Sequence, residues 1–444
     1  MSNNFPDKFK EHLQLTIADW DNFSESQQQP VPISIRVNSF KSNEHILFAE
    51  EVSWNAKGKY LAQRPDFTLD PLFHAGTYYV QEASSMCIET VLNQYIEKED
   101  NPMILDLCAA PGGKSTLIAD WLEAHGVLVS NEVIKSRAGV LSESLTRWGA
   151  PNTVVSSNDP VQLGKLINVF DCVLVDAPCS GSGMFRKDAN AMKHWSEQTV
   201  MHCAARQERI VADIWPALKQ NGIFIYSTCS YSEAENEKIA QFIVDEFDAE
   251  PLQIAQLDAI NALVKSEFGY HFYPHLIKGE GFYLAAFRKN PSHKRHKLEE
   301  VKIDLKKSNP FSELIISPAS FRLIATHLGN SIVTDAMLPH LYILYKYLHL
   351  LKCGVNAGDM KGSSLIPNHD LALSTIVRPD LPAIQLDLNL ALRFLKMEAL
   401  PNSFHTSGWN LMQYKGSNLG WGNALPNRVN NGLPKSWRIL KEID

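Results

Sequence analysis

Short apolar segments alternate with longer mixed segments between residues 103 and 247. The short segments predict buried strands, and the longer ones predict helices. Strands that alternate with helices at these intervals indicate a mostly parallel, doubly wound α/β sheet with right-handed crossovers. The predicted strands are 103–108, 127–131, 153–156, 171–176 and 222–227, and the predicted helices are 114–124, 134–148, 197–219 and 233–247.

Smaller units are predicted on both sides of this alternation. Upstream, the pattern predicts a half-buried strand at 33–38, a helix at 44–51 and a short strand at 78–80. Downstream, it predicts an antiparallel hairpin from 268–273 and 282–287, then a charged, Pro-bounded linker. The predicted domains are an N-terminal α+β module at 1–95, the α/β domain at 96–290, the linker at 291–310 and a third unit at 311–444.

The composition of the 444 residues, 45% hydrophobic and 20% charged, is typical of a globular protein with several domains. No apolar run reaches the roughly 18 residues that span a bilayer, and the chain starts without an apolar signal core. These features predict a cytoplasmic protein that does not associate with membranes. The net charge is −7, but residues 393–441 are basic, which suggests a polyanion bound partly by this tail. A chance asymmetry of a solvated surface is the alternative.

A tight turn of small residues separates the first central strand from its helix. Small residues at 109–113 let a ligand approach the backbone, and free N–H groups at the helix start face that ligand. The turn matches neither G-x-G-x-x-G nor the P-loop, in which Cys108 would have to be glycine. The turn therefore predicts a nucleotide-like ligand without a large phosphate cradle, and S-adenosylmethionine fits that description.

Four carboxylates stand where a doubly wound sheet presents side chains to a ligand: Asp106, Glu132, Asp159 and Asp176. Glu132 can accept hydrogen bonds from ribose hydroxyls, and Asp159 can meet the adenine amino group. The alternative for each is a helix cap or turn residue. Lys114, at the helix start, can pair with a ligand carboxylate or brace the turn.

Seven cysteines are scattered along the chain without a C-x-x-C pair, so no metal site is predicted. Cys179 and Cys229 each follow a central strand, so both thiols are expected at one sheet edge. Buried, inert thiols are the alternative. Two thiols beside a methyl donor suggest methylation at carbon 5 of a pyrimidine, in which a thiolate adds to carbon 6 and a base later removes the carbon 5 proton. Asp176 is placed to hydrogen-bond or protonate nitrogen 3.

Six segments resemble signatures of the NOL1/NOP2/Sun family of RNA 5-methylcytosine methyltransferases: 34–38, 81–86, 106–114, 176–183, 186–188 and 227–236. The resemblance implies a Rossmann-like class I methyltransferase domain. It also implies that Cys229 is the nucleophile and that Cys179 assists product release. The implied contacts of S-adenosylmethionine are Cys108, Ala109, Ala110, Pro111, Gly112, Gly113, Lys114, Glu132, Asp159 and Asp176.

The C-terminal third resembles the PUA-like RNA-binding extension of bacterial enzymes that methylate small-subunit ribosomal RNA, through residues around Trp409, Trp421 and Trp437. The layout is most similar to the ribosomal RNA small subunit methyltransferase F group. The resemblance therefore predicts methylation of 16S ribosomal RNA. The small N-terminal module, interpreted as an RNA-recognition module, and the basic tail suggest a monomer that grips RNA at several points. The alternatives are the same chemistry on tRNA, or an RNA-binding ribosome assembly factor without turnover. Retention of both cysteines argues against the second alternative.

Overall fold

The computed structural model describes residues 5–6, 8–13, 17–42, 44–291, 309–404 and 406–442. The predicted linker therefore lies almost entirely outside the described residues. None of the described helices is long and apolar enough to cross a membrane.

A four-stranded antiparallel sheet, the N-terminal sheet, precedes the central domain, with strand order β2-β3-β1-β4. Its strands are β1 (Ser34–Val37), β2 (Glu50–Val52), β3 (Asn55–Tyr60) and β4 (Tyr78–Val80), and the helices of this region are α1 (Ile17–Ser26), α2 (Pro71–His74) and α3 (Ile88–Tyr95). The predicted helix at 44–51 is wrong, because Glu50 and Glu51 pair with β3. Val52 and Trp54 are buried by this hairpin, and their burial outweighs the local helical pattern.

The central sheet has a parallel core in the order β9-β8-β5-β6-β7, as predicted for a doubly wound fold. Its strands are β5 (Met103–Asp106), β6 (Val127–Asn131), β7 (Thr153–Ser156), β8 (Phe170–Asp176) and β9 (Leu218–Thr228). The antiparallel edge adds β10 (Glu250–Pro251), β11 (Val264–Lys265), β12 (Gly269–Phe272) and β13 (Phe282–Arg288), and the last two form the predicted hairpin.

Helices cover both faces of the central sheet, and each face has its own apolar core. Helix α8 ends at Ile214, before the predicted residue 219, because Pro216 follows and β9 begins at Leu218. The helices of this domain are α4 (Gly113–Leu122), α5 (Lys135–Trp148), α6 (Pro160–Gly164), α7 (Ala189–His194), α8 (Glu197–Ile214), α9 (Glu237–Phe247) and α10 (Ala255–Asp258).

The C-terminal third contains short strands, as predicted, and one of them leaves that unit to complete the central sheet. This strand, β16, pairs antiparallel with β7 through Leu350 and Cys353. The strands are β14 (Phe321–Thr326), β15 (Gly329–Thr334), β16 (Leu350–Cys353), β17 (Val355–Asn356), β18 (Gly358–Lys361), β19 (Ser364–Pro367), β20 (Ala383–Leu386), β21 (Leu400–Pro401), β22 (Gly408–Tyr414), β23 (Ser417–Leu425) and β24 (Arg428–Asn431). The helices are α11 (Leu338–Tyr347), α12 (His369–Leu373) and α13 (Leu388–Leu395).

Candidate active site

The carboxyl ends of β8 and β9 bring an acid, a hydroxyl and a lysine together. Asp176 and Ser227 are register partners in these parallel strands, and the Ser227 hydroxyl donates to Asp176 Oδ1 at 2.8 Å. Lys114, in the first turn of α4, donates from Nζ to Asp176 Oδ2 at 2.8 Å. Burial alone would lower the pKa of Lys114, but the charge and hydrogen bond of Asp176 outweigh it and raise that pKa. The interaction with Asp176 therefore keeps Lys114 charged at the sheet edge.

The loops that follow β8 and β9 bring two thiols together. The sulfur atoms of Cys179 and Cys229 lie 3.0 Å apart, and both side chains are partly buried. The hydrogen bond to Cys229, with burial added, raises the pKa of the Cys179 thiol well above its usual value. Gly183 closes the site, because its N–H donates to the Cys229 carbonyl at 2.8 Å and a Cβ there would lie 2.7 Å from that oxygen. The separation of 3.0 Å lets both thiols act on neighbouring atoms of one bound ring.

A buried carboxylate that the sequence did not single out joins the two cysteine loops. Glu235 Oε2 accepts from the hydroxyls of Ser180 at 2.6 Å and Ser230 at 2.5 Å, and Oε1 accepts from the Ser180 backbone N–H at 2.7 Å. Burial raises the pKa of Glu235, and these hydrogen bonds oppose the shift. Because Ser180 follows Cys179 and Ser230 follows Cys229, Glu235 fixes the separation of the two thiols. In the sequence, the only feature that pointed to a role for Glu235 was its position in the segment 227–236, which resembles a family signature.

The turn between β5 and α4 is held in place by α5. Arg137 donates to the Ala110 carbonyl at 2.7 Å, and the Ser144 hydroxyl donates to the Pro111 carbonyl at 2.8 Å. Gly112 has a φ of 115°, and a Cβ there would lie 2.9 Å from the Ser144 side chain. Because a side chain at position 112 would collide with Ser144, only glycine lets the turn pack this closely against α5.

The acidic residues at the strand ends differ in their surroundings. Asp106 is fully buried, and its Oδ2 accepts from Ser115 at 2.6 Å while its Oδ1 has no partner among the described residues. Burial raises the pKa of Asp106 to about 7. Glu132 is also buried, where it accepts from the Ile134 N–H at 2.9 Å and lies 3.3 Å from Arg137. Asp159 is exposed and caps α6 by accepting from the Val161 N–H at 3.1 Å.

This set of acceptors fits the methyl donor predicted from the sequence. The unpaired oxygen of Asp106 and the carboxylate of Glu132 can accept from an amino group or from hydroxyls. Burial raises the pKa of the Cys108 thiol beside the turn, which favours an uncharged lining. Among the described residues, no cluster of His, Cys, Asp and Glu could hold a metal ion.

Comparison with known proteins agrees with this geometry. Residues 93–288 match a family model described as 16S rRNA methyltransferase RsmB/F. The chain is 30% identical to ribosomal RNA small subunit methyltransferase F of Vibrio parahaemolyticus, over 97% of both chains. The same protein of Aeromonas salmonicida is 30% identical over 97% of this chain and 96% of the relative. This chain belongs to the ribosomal RNA small subunit methyltransferase F family.

Two further models of the methyltransferase F family match the flanking regions. Residues 3–83 match its N-terminal domain, and residues 381–439 match its PUA domain. The predicted family, the predicted fold and the predicted dependence on S-adenosylmethionine are therefore confirmed.

Solved structures of other methyltransferases share the central fold. A methyltransferase homologue from Pyrococcus horikoshii has a TM-score of 0.50 at 26% identity, over 65% of this chain and 100% of that one. NSun6 from the same organism, solved with SFG, has a TM-score of 0.54 at 19% identity, over 65% of this chain and 99% of that one. The match to NSun6 supports the fold alone.

Arg36, in the N-terminal sheet, has a structural role that the sequence did not reveal. The sequence left it open whether Arg36 contacts phosphate or is solvated, but its side chain is fully buried. It donates to Gln81 at 2.8 Å and to Thr116 at 2.7 Å, and its guanidinium lies 4.3 Å from the centre of the Trp148 ring. Arg36 therefore joins the N-terminal sheet to α4 and α5.

Proposed function

We propose that this protein methylates carbon 5 of a cytosine in 16S ribosomal RNA through a covalent bond between Cys229 and the base. The observation that supports this most directly is the 3.0 Å separation of the Cys179 and Cys229 sulfur atoms beside Asp176. Two adjoining thiols suit a reaction in which one sulfur forms a bond to the cytosine ring and the other removes a proton from it.

The residues that would hold S-adenosylmethionine are the turn 108–114 together with Glu132, Asp159 and Asp176. When bound, S-adenosylmethionine supplies a methyl group attached to a positively charged sulfur. These carboxylates would accept hydrogen bonds from the polar groups of this ligand, and the glycines of the turn would let it lie against the backbone. Lys114 orients Asp176 through their ion pair at 2.8 Å.

Cys229 acts first on the cytosine. Its thiolate forms a bond to carbon 6, and the electron pair of the 5,6 double bond moves onto carbon 5, which becomes the nucleophile. Asp176, held by Ser227 and Lys114, acts in its protonated form, in which it donates its proton to nitrogen 3 and so neutralises the negative charge that develops on the ring. The thiol of Cys179 stays protonated in this step, in keeping with its raised pKa.

Cys179 completes the reaction after carbon 5 has received the methyl group. Once Cys229 is bonded to carbon 6, it no longer carries the negative charge that raises the pKa of Cys179. Cys179 then gives up its thiol proton to solvent, and the thiolate that results takes the carbon 5 proton. The electron pair of that bond restores the 5,6 double bond, and the bond between sulfur and carbon 6 breaks, which frees Cys229.

Trapping of the covalent intermediate tests these roles. Cys179→Ala should accumulate an RNA–protein adduct that survives a denaturing gel, because the carbon 5 proton cannot be removed. Cys229→Ala should form no adduct. Cys353→Ala, in β16 at the far edge of the sheet, is the matched control and should behave like the wild type. The reverse pattern for the first two variants would refute the assignment.

The RNA target is tested separately from the chemistry. Mapping of 5-methylcytosine in a strain that lacks this protein should show loss of one or more sites from 16S ribosomal RNA. Loss of 5-methylcytosine from tRNA alone would refute the ribosomal target but would still agree with the proposed chemistry. An unchanged map would favour a binding role without turnover.

A further inference from the structure

A cavity of about 280 Å³ lies between the N-terminal sheet and α5, apart from the cysteines. Its walls include aromatic rings from Phe67 and Phe73, and its rim includes the exposed side chains of Arg64 and Val140. Of the residues predicted to contact S-adenosylmethionine, only Pro111 lines this cavity. The cavity is therefore separate from the candidate methyl-transfer site, although it adjoins the same turn.

The cavity combines aromatic faces with positive charge. The Arg64 guanidinium lies 5.3 Å from the centre of the Phe67 ring. The Arg147 guanidinium lies 5.3 Å from the Phe73 ring and 4.9 Å from the Trp437 ring. None of the described lining residues is acidic. Aromatic rings and arginines without carboxylates suit a ligand with a flat ring and a negative charge.

Two buried donors at the cavity lack partners among the described residues. They are Nε of Arg147 and the indole N–H of Trp148, whose side chain is 1% exposed. Arg147 also lies 3.5 Å from Glu143, but that contact uses Nη2 and leaves Nε unpaired. Both atoms are closed off from solvent, so neither donor supplies a contact to a molecule in the cavity.

We propose that this cavity holds one unpaired nucleotide of the RNA substrate, other than the target cytosine. Its base packs against the aromatic rings of the lining, and its phosphate lies at Arg64. The volume is near the lower end of the roughly 300–1,000 Å³ of ligand pockets, which suits a single nucleotide. The proposal rests on RNA being the substrate, as in the proposed function.

Two substitutions on the rim test this site without removing a core side chain. Val140→Trp, at a helix position that is 50% exposed, places an indole across the opening. Arg64→Ala removes the charge at the mouth. Val140→Ala leaves the cavity open and is the control for the first variant. Arg209→Ala, an exposed position on α8, is the control for the second, because α5 and α8 pack on different cores of the sheet.

The measurement is fluorescence anisotropy with a short, labelled single-stranded RNA of mixed sequence, together with calorimetric titration of S-adenosylmethionine. Val140→Trp and Arg64→Ala should each raise the RNA Kd about fivefold or more, as expected for loss of one stacked base or its phosphate contact. Both controls should bind as the wild type does, and the Kd of S-adenosylmethionine should be unchanged in all four variants.

Two results would overturn the proposal. Unchanged RNA affinity in both rim variants would mean that no nucleotide occupies the cavity, and a parallel loss of cofactor affinity would mean that it belongs to the cofactor site. The test measures RNA affinity and does not depend on catalysis. Its outcome can therefore be interpreted even if the adduct assay refutes the proposed roles of the cysteines. RNA carrying 4-thiouridine should also cross-link to peptides from 64–80 or 140–148 in the wild type, and less in Val140→Trp.

Discussion

Glu235→Gln should slow methyl transfer while the fold is retained. The substitution removes the negative charge that holds Ser180 and Ser230 through bonds of 2.5 to 2.7 Å. A hydrogen bond to a charged group contributes about 1.5–3 kcal/mol, against about 0.5–1.5 kcal/mol for a neutral one. Three such bonds become neutral, so we expect a loss of about 2–3 kcal/mol of stability, reduced in part because a buried charge is also removed.

The larger effect of this substitution should be on the rate. Ser180 and Ser230 adjoin the two cysteines, and a shift of about 1 Å in reacting groups can cost about a hundredfold in rate. We therefore expect kcat to fall between about tenfold and a hundredfold, while KM for S-adenosylmethionine stays near the wild-type value. The assay is steady-state transfer of a tritiated methyl group to 16S ribosomal RNA at several concentrations of S-adenosylmethionine, with urea unfolding measured in parallel.

The matched control for Glu235→Gln is Glu233→Gln, because Glu233 lies in the same short helical turn but is exposed. It should change neither kcat nor stability. Wild-type kcat in Glu235→Gln would refute the idea that this carboxylate positions the thiols. An equal loss of kcat in both variants would show that the charge of the segment matters and the specific hydrogen bonds do not.

Three further predictions concern stability and cofactor binding. Arg36→Met should cost about 3 kcal/mol of unfolding free energy in urea titration, because it removes a buried network, and should leave the RNA affinity of the folded protein unchanged. Burial raises the pKa of Asp106 to about 7, above its unfolded value, so this carboxyl should make the protein about 2 kcal/mol less stable at pH 7 than at pH 5. Asp106→Asn should remove that part of the pH dependence in urea titrations at the two pH values. Lys114→Met should weaken S-adenosylmethionine binding about tenfold in calorimetry, because Asp176 loses its partner at 2.8 Å; an unchanged Kd would refute this role.

The central strands could be predicted because their signal is local. Strands buried on both faces are continuous apolar runs, and β6 and β7 begin and end at the predicted residues. The same logic predicted the meeting of Cys179 and Cys229, since parallel strands end at one edge of the sheet. Their separation of 3.0 Å follows from the topology together with the turns after β8 and β9.

Features that depend on distant pairings could not be predicted in this way. Residues 50–52 form a strand because they pair with β3. The spacing of apolar residues within this segment fits a helix and carries no information about that pairing. β16 joins β7 across almost 200 positions of the chain, in a region that the pattern assigned to another unit. Glu235 and Arg36 acquire their roles from serines, rings and amides that come together only in the fold. A charged residue in a sequence does not reveal whether its partner is solvent or a buried donor.

The most direct test of the proposed chemistry is to identify the amino acid that carries the cytosine. The adduct of Cys179→Ala with 16S ribosomal RNA is digested with trypsin and nuclease, and the cross-linked peptide is sequenced by mass spectrometry. The proposed roles predict a methylated cytidine attached to the peptide that contains Cys229. A cytidine on any other residue, or no adduct under conditions in which the wild type methylates the RNA, would contradict them.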